Sequence, residues 1–141
     1  MSGLSAFFQE NAEQPKNVKF VASKRFKDSK GKPMEWEIRA ISSQENEELK
    51  RQATKRVQVN GKKNQYMPEL DTGKYQTLVC AKCTVFPNLN DVELQNSWGA
   101  MCAEELLTKM LLAGELTEYS QKVLEINGFA MEDDLIEEAK N

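Results

Sequence analysis

The sequence has no histidine. That removes the commonest general base and metal ligand at neutral pH, and with it the usual serine and cysteine triads. Its seven glycines are scattered, so neither a GxxxxGKS/T phosphate loop nor a GxGxxG dinucleotide turn occurs. Three cysteines are present, an odd number that suits a reducing compartment. No apolar run approaches the roughly 20 residues needed to cross a bilayer. The opening MSGLSAFFQENAEQP has neither the basic start nor the long apolar centre of a secretion signal. These absences predict a cytoplasmic chain without catalytic residues, cofactor or metal.

What is present fits one domain over residues 1–141, long enough to bury a core without disulfide or metal. Hydrophobic residues make up 40% and charged residues 29% of the chain, so a modest core underlies a strongly charged surface. The net charge of -3 hides a split. Residues 1–66 carry 14 Lys and Arg against 8 Asp and Glu, and residues 67–141 carry 5 against 14. The basic residues are interspersed with acids rather than run together, which favours two mutually attracting solvated faces over a nucleic-acid arm.

Hydrophobic spacing places the elements. Residues 1–17 read as an N-terminal arm with Leu4, Phe7 and Phe8 as its anchors, ended by Pro15. Val18, Phe20, Ala22 and Phe26, then Met34, Trp36, Ile38 and Ala40, alternate across the turn DSKGKP and predict an antiparallel hairpin over 18–41. With the turn centred near Lys30, Arg25 faces Glu35, and Lys24 lies against Trp36 for a cation–π contact. Residues 42–130 read as helical. Ser42 and Glu45 have the spacing of a capping box, and the first helix runs through Lys55 and Arg56 with Leu49, Ala53 and Val57 inward. Residues 58–70, with Asn60-Gly61, form a mobile loop or small hairpin.

Further helices follow over about 73–84, from Asp91 through Ser97, and from Ala100 to a stop at Gly114. A last helix is capped by Thr117 and closed by Asn127-Gly128-Phe129 as a Schellman stop. Residues 131–141 form an acidic tail. The expected class is α+β: an N-terminal antiparallel β-hairpin packed on about four to five α-helices.

Candidate chemistry is sparse. Cys80 and Cys83 form a CxxC, but a zinc site needs two more soft ligands and only Cys102 remains. A redox dithiol belongs at a helix start, whereas this pair falls well inside a helix, so core packing explains it better. Paired carboxylates such as Glu104-Glu105 read as solvated faces. Lys50, Arg51, Lys55, Arg56, Lys62 and Lys63 could touch phosphates, with only Tyr66 near enough to stack, so a nucleic-acid-binding module using the basic N-terminal half is the alternative function. The helix from Met101 to Leu112 is more informative. Leu106, Leu107, Met110, Leu111 and Leu112 cover more than one face, which means either a central buried helix or a flexible apolar groove for a partner helix.

The wording DTGKYQTLVCAKCTVFPNLNDVELQNSWGA and KMLLAGELTEYSQKVLEINGF resembles the XkdN-like tail assembly chaperones of phages, found in prophages of Gram-positive bacteria. The shared features are Pro87-Asn88-Leu89, Leu94-Gln95, Trp98-Gly99, Met110 to Glu115 and Asn127-Gly128-Phe129. SKRFKDSKGKPMEWEIRAIS is similar to the family's opening hairpin, and the likeness covers roughly residues 5–130. Trp98 stands where tyrosine is expected, and Cys80 and Cys83 where aliphatics are. The resemblance implies a non-enzymatic protein that binds the tape-measure protein, keeps it soluble while the tail tube polymerises, and is absent from the mature virion. It also implies the tail-tube protein and a frameshifted longer form of the chain as partners; the hydropathy predicts no membrane partner, and nucleic acid is the less favoured reading. The family offers no site residues to carry over, so the expected partner contacts are those of this sequence: Leu106, Leu107, Met110 and Leu111.

Overall fold

A computed structural model of the chain describes residues 3–129; the acidic tail over 131–141 lies outside them. Five helices and two small antiparallel sheets give the expected α+β class. Strands β1 (Val18–Phe20) and β2 (Trp36–Ile38) pair antiparallel, with Val18 opposite Ile38 and Phe20 opposite Trp36. A third strand that the spacing did not reveal, β5 (Thr84–Phe86), pairs with the other side of β2. Between them in sequence come α1 (Ser43–Ala53), a separate ribbon of β3 (Thr54–Gln58) and β4 (Tyr66–Leu70), and α2 (Thr72–Cys83). Helices α3 (Val92–Trp98), α4 (Ala103–Met110) and α5 (Ala113–Ile126) complete the described chain. Helix α2 touches α1, α4 and α5 and so runs through the middle of the helical layer. Before β1, Leu4–Phe7 and Gln9–Asn11 form two 3-10 turns.

Local chemistry explains the ends. Ser42 accepts the Glu45 N–H at 3.1 Å while the Glu45 carboxylate accepts the Ser42 N–H at 3.2 Å, so the capping box forms. Asp71 and Asp91 cap α2 and α3 in the same way, through the N–H groups of Lys74 and Leu94. At the end of α5 Gly128 has φ +79, the Phe129 N–H reaches the Leu124 carbonyl and the Gly128 N–H reaches that of Glu125. That is the hydrogen-bond pattern of the expected Schellman stop.

Other boundaries differ from the sequence reading. Helix α1 stops at Ala53 rather than continuing to Val57, because Thr54 and Val57 pair with Leu70 and Met67. The β-branched pair suits a strand better than a helix. The segment 58–70 therefore carries the turn and second strand of a ribbon. Gly114 does not stop α4: the break falls at Leu111 and Leu112, and Gly114 lies in the first turn of α5 with open space around it. Thr117 is consequently inside α5, where its hydroxyl donates to the Ala113 carbonyl.

The hairpin also departs from simple alternation. Near its tip the Met34 N–H donates to the Phe26 carbonyl at 2.7 Å, whereas at its base Phe20 faces Trp36. Residues 21–25 thus stand against Glu35 alone and bulge towards the helices, burying both Ala22 and Ser23. The bulge carries Arg25 away from Glu35. Its guanidinium binds the Glu115 carboxylate at 2.7 Å and the Met110 carbonyl at 2.7 Å, and lies 5.2 Å over the Phe26 ring. The cation–π contact expected of Lys24 on Trp36 is replaced by this one. Glu115 also accepts from the Ser23 hydroxyl at 2.6 Å and the Leu112 N–H at 2.8 Å. One carboxylate therefore ties the hairpin, the end of α4 and the start of α5.

The core lies where sheet and helices meet. Trp36, Ile38, Leu106, Leu107, Tyr119 and Val123 are all at 1% exposure or less. Burying each such large side chain contributes about 1.5–3 kcal/mol. The Trp36 and Tyr119 rings meet edge-on at 5.3 Å, and Phe20 stacks on Tyr119 at 6.3 Å. The Tyr119 hydroxyl shares a hydrogen bond with Thr84 of β5, so this buried phenol leaves no polar atom unpaired.

Arg25, Ser23 and the Leu112 N–H together hold the Glu115 carboxyl at about 2 instead of 4.5. A carboxyl depressed by folding stabilises fully above its unfolded pKa and loses that contribution as pH falls towards the folded one. Glu115→Gln is therefore expected to melt below wild type at pH 7, with the gap closing between pH 4.5 and 2. Thermal melts across that range check this, and a gap that does not narrow with acid would contradict it.

Candidate apolar docking site

The four candidate contacts on α4 are core residues in this structure. Leu106 and Leu107 are fully buried, and Met110 and Leu111 are 4% exposed. Of the two readings the sequence left open, the described conformation is the central buried helix. The physical reason is that α4 packs against both α2 and α3, which leaves these four side chains at 4% exposure or less. At its far end the helix reaches an apolar surface cavity through Met110.

That cavity has a volume of about 200 Å3 and is walled by apolar side chains from four parts of the chain. The hairpin supplies Phe26, Met34 and Trp36, the end of β5 supplies Phe86 and Pro87, α3 supplies Leu94 and α4 supplies Met110. Trp98 of α3 meets Phe26 edge-on at 6.1 Å behind the wall. Of its lining residues Phe86 is 48% exposed. Apolar side chains left open on a charged surface are a common mark of an interaction site. The volume is below that of an ordinary small-molecule pocket and matches one large side chain. The sequence reading missed this site because it left Phe86 and Pro87 in the connection after the helix over about 73–84, whereas the unseen strand β5 brings them to the same cavity as Trp36.

Packing and pairing account for the cysteines and for most of the basic candidates. Cys80 and Cys83 are buried, donate to or accept from Ser120 and Asn127 at 3.3 and 3.4 Å, and stand on α2 as expected. Burial pushes the Cys80 thiol up to about 11 and raises that of Cys83 as well. A thiol made harder to ionise is a poor nucleophile. Among the described residues no group of three or more His, Cys, Asp or Glu side chains could hold a metal, and no helix is long and apolar enough to cross a membrane. Of the basic candidates, Lys50 and Arg51 pair with Glu47 and Glu48 on α1. Lys55 faces Glu69 across the ribbon, and Arg56 lies 6.0 Å over the Tyr66 ring. Lys62 and Lys63 are exposed in the ribbon's turn region.

Leu107→Asp should leave the chain unfolded, since it puts a carboxylate at a fully buried position, and Leu107→Ala should cost about 2–5 kcal/mol. Phe86→Asp, on a half-exposed side chain, should keep the fold to within about 0.5 kcal/mol by chemical denaturation; an unfolded Phe86→Asp would contradict the assignment of this residue to the surface. With a thiol reagent on the native protein, Cys102 should react first and Cys80 and Cys83 only on unfolding. Fast labelling of either buried thiol would contradict the packing role.

The comparisons with known proteins agree on one family. The model of the phage XkdN-like tail assembly chaperone proteins matches residues 4–140. The chain is 28% identical over 140 residues to the phage-like element PBSX protein XkdN of Bacillus subtilis strain 168, covering 98% of this chain and 93% of that protein. It is 30% identical over 140 residues, with the same coverage, to the uncharacterized protein YqbN of the same strain. The crystal structure of the protein YqbN superposes with a TM-score of 0.77 at 25% identity, covering 92% of this chain and 99% of that one. A family match across nearly the whole length, on a fold shared with a solved relative, places the chain among the XkdN-like phage tail assembly chaperones.

Proposed function

We propose that the chain binds the tape-measure protein of a phage tail in the host cytoplasm and keeps it soluble until tail-tube subunits polymerise around it. On this reading it performs no catalysis, is released before the virion is complete, and meets the tail-tube protein and a longer frameshifted form of itself along the way. The observation that carries the reading is the apolar cavity beside Phe86, open on the surface of a chain from a tail assembly chaperone family. Reversible capture of aggregation-prone segments needs an apolar seat, and a charged exterior keeps the complex in solution. The α4 residues divide the work. Met110 contributes to the wall of the seat, while Leu106, Leu107 and Leu111 hold α4 in place beneath it.

Co-expression tests this directly. The tape-measure protein made with this chain should be recovered in the soluble fraction and co-purify with it, and should precipitate when made alone. Equal solubility in the two cases, with no co-purification, would contradict the proposal.

A further inference from the structure

The ribbon of β3 and β4 takes no part in lining the cavity, and it carries an open sheet edge. Every residue of β4 is exposed, as is every residue of β3 except the half-buried Val57. Among the described residues the two strands form a sheet of their own with no third strand. Such a lone pair is marginal in water and gains from further strands.

The hydrogen bonds fix which backbone groups point outwards. The Val59 N–H reaches the Gln65 carbonyl and the Asp71 N–H reaches the Ala53 carbonyl, both at 2.9 Å. The register between these bonds is continuous, so inward and outward residues alternate along each strand. Lys55 and Val57 bond to β4, while Arg56 and Gln58 turn their N–H and carbonyl groups away from it. On β4 the outward positions are Tyr66, Pro68 and Leu70. Pro68 has no N–H, so it interrupts that edge at its middle while leaving the ribbon's own ladder intact. One edge is blunted and the other is open.

We propose that the open edge of β3 pairs antiparallel with β3 of a second copy, with Val57 on the two-fold axis. The register follows from the residues. In an antiparallel pair the outward residues of the two edges must face each other. Placing Arg56 on the axis sets two guanidinium groups opposite, and placing Lys55 there sets two ammonium groups opposite; both are unfavourable. With Val57 on the axis, Arg56 faces Gln58 of the second copy and Gln58 faces its Arg56, so both outward residues exchange backbone bonds. Val57 then meets Val57 of the second copy, and Met67, its neighbour across each ribbon, extends the apolar row on the same face. Met67 is 52% exposed in the single chain. Because Pro68 blunts the far edge of each ribbon, the pairing closes at two copies instead of growing into a fibre. The inference stands apart from the chaperone reading.

The experiment uses the full chain, with thermal melts confirming that each variant folds. Wild type is expected to shift from monomer to dimer with rising concentration in sedimentation velocity. The shift should come more readily as salt screens the repulsion among Lys55, Arg56, Lys62 and Lys63 of the two ribbons. Gln58→Pro removes an outward N–H without breaking the ribbon's ladder, and should raise the dimer Kd about tenfold or more. Crosslinking with oxidised glutathione reads the register, in a background where the half-buried Cys102 is replaced (Cys102→Ser). Val57→Cys should give a covalent dimer, since residues facing each other on the axis have Cα atoms about 4.5 Å apart. Lys55→Cys should not, because its two copies lie about 13 Å apart in this register, beyond the roughly 7 Å that a disulfide spans. A wild type that stays monomeric, a folded Gln58→Pro that dimerises like wild type, or Lys55→Cys crosslinking as readily as Val57→Cys would overturn the inference. So would a monomer in which an added poly-glutamate peptide slows amide exchange at Arg56 and Gln58, because the edge would then accept an acidic strand from another chain.

Discussion

The burial of Trp36 is the constraint from which most of this structure follows. A sheet of three strands, each three residues long, has little stability of its own and needs its apolar face covered. Trp36 meets that need in two directions. One edge of the indole packs on Tyr119 of α5, and the other reaches Phe26, which in turn meets Trp98 of α3. The same ring therefore closes the core and forms the back of the apolar cavity. The proposed seat is rigid because its floor belongs to the hydrophobic core.

Orientation comes from charge placed at the one irregular point of the hairpin. Residues 21–25 bulge inward, and Arg25 leaves its own hairpin to bind Glu115 and the Met110 carbonyl. Glu115 is at once the third residue of α5, the acceptor for the Leu112 N–H and the partner of Ser23. The break between α4 and α5, the position of Met110 and the pose of the hairpin tip thus share one set of hydrogen bonds. Glycine at 114 has no comparable part, since nothing lies within reach of an added Cβ there.

Features governed by near neighbours were legible in the sequence. The Ser42–Glu45 box, the Asp91 cap and the Gly128 stop depend on residues three to five apart, and each formed as its spacing implied. What was not legible depends on distant partners. Strand β5 exists because Thr84 and Phe86 meet Ile38 and Glu37, more than 40 residues earlier, and Thr54 is a strand residue because it meets Leu70. The α4 face illustrates a deeper ambiguity. A helix apolar on several sides reads identically whether neighbours or a partner cover it, and only the packing of α2 and α3 showed Leu106 and Leu107 to be interior. The cavity was hidden for the same reason, because its wall joins residues from positions 26 to 110.

Membership of the XkdN-like tail assembly chaperones and the buried core of α4 together move the proposed capture surface from the middle of that helix to its end, where Met110 lines a cavity with Phe86 and Phe26. The most direct measurement is amide hydrogen exchange on the full chain, alone and in complex with the tape-measure protein. The account predicts slowed exchange in residues 24–34 and 84–95 on binding, with the ribbon at 54–70 unchanged. Protection confined to the ribbon, with both walls of the cavity unaffected, would contradict it.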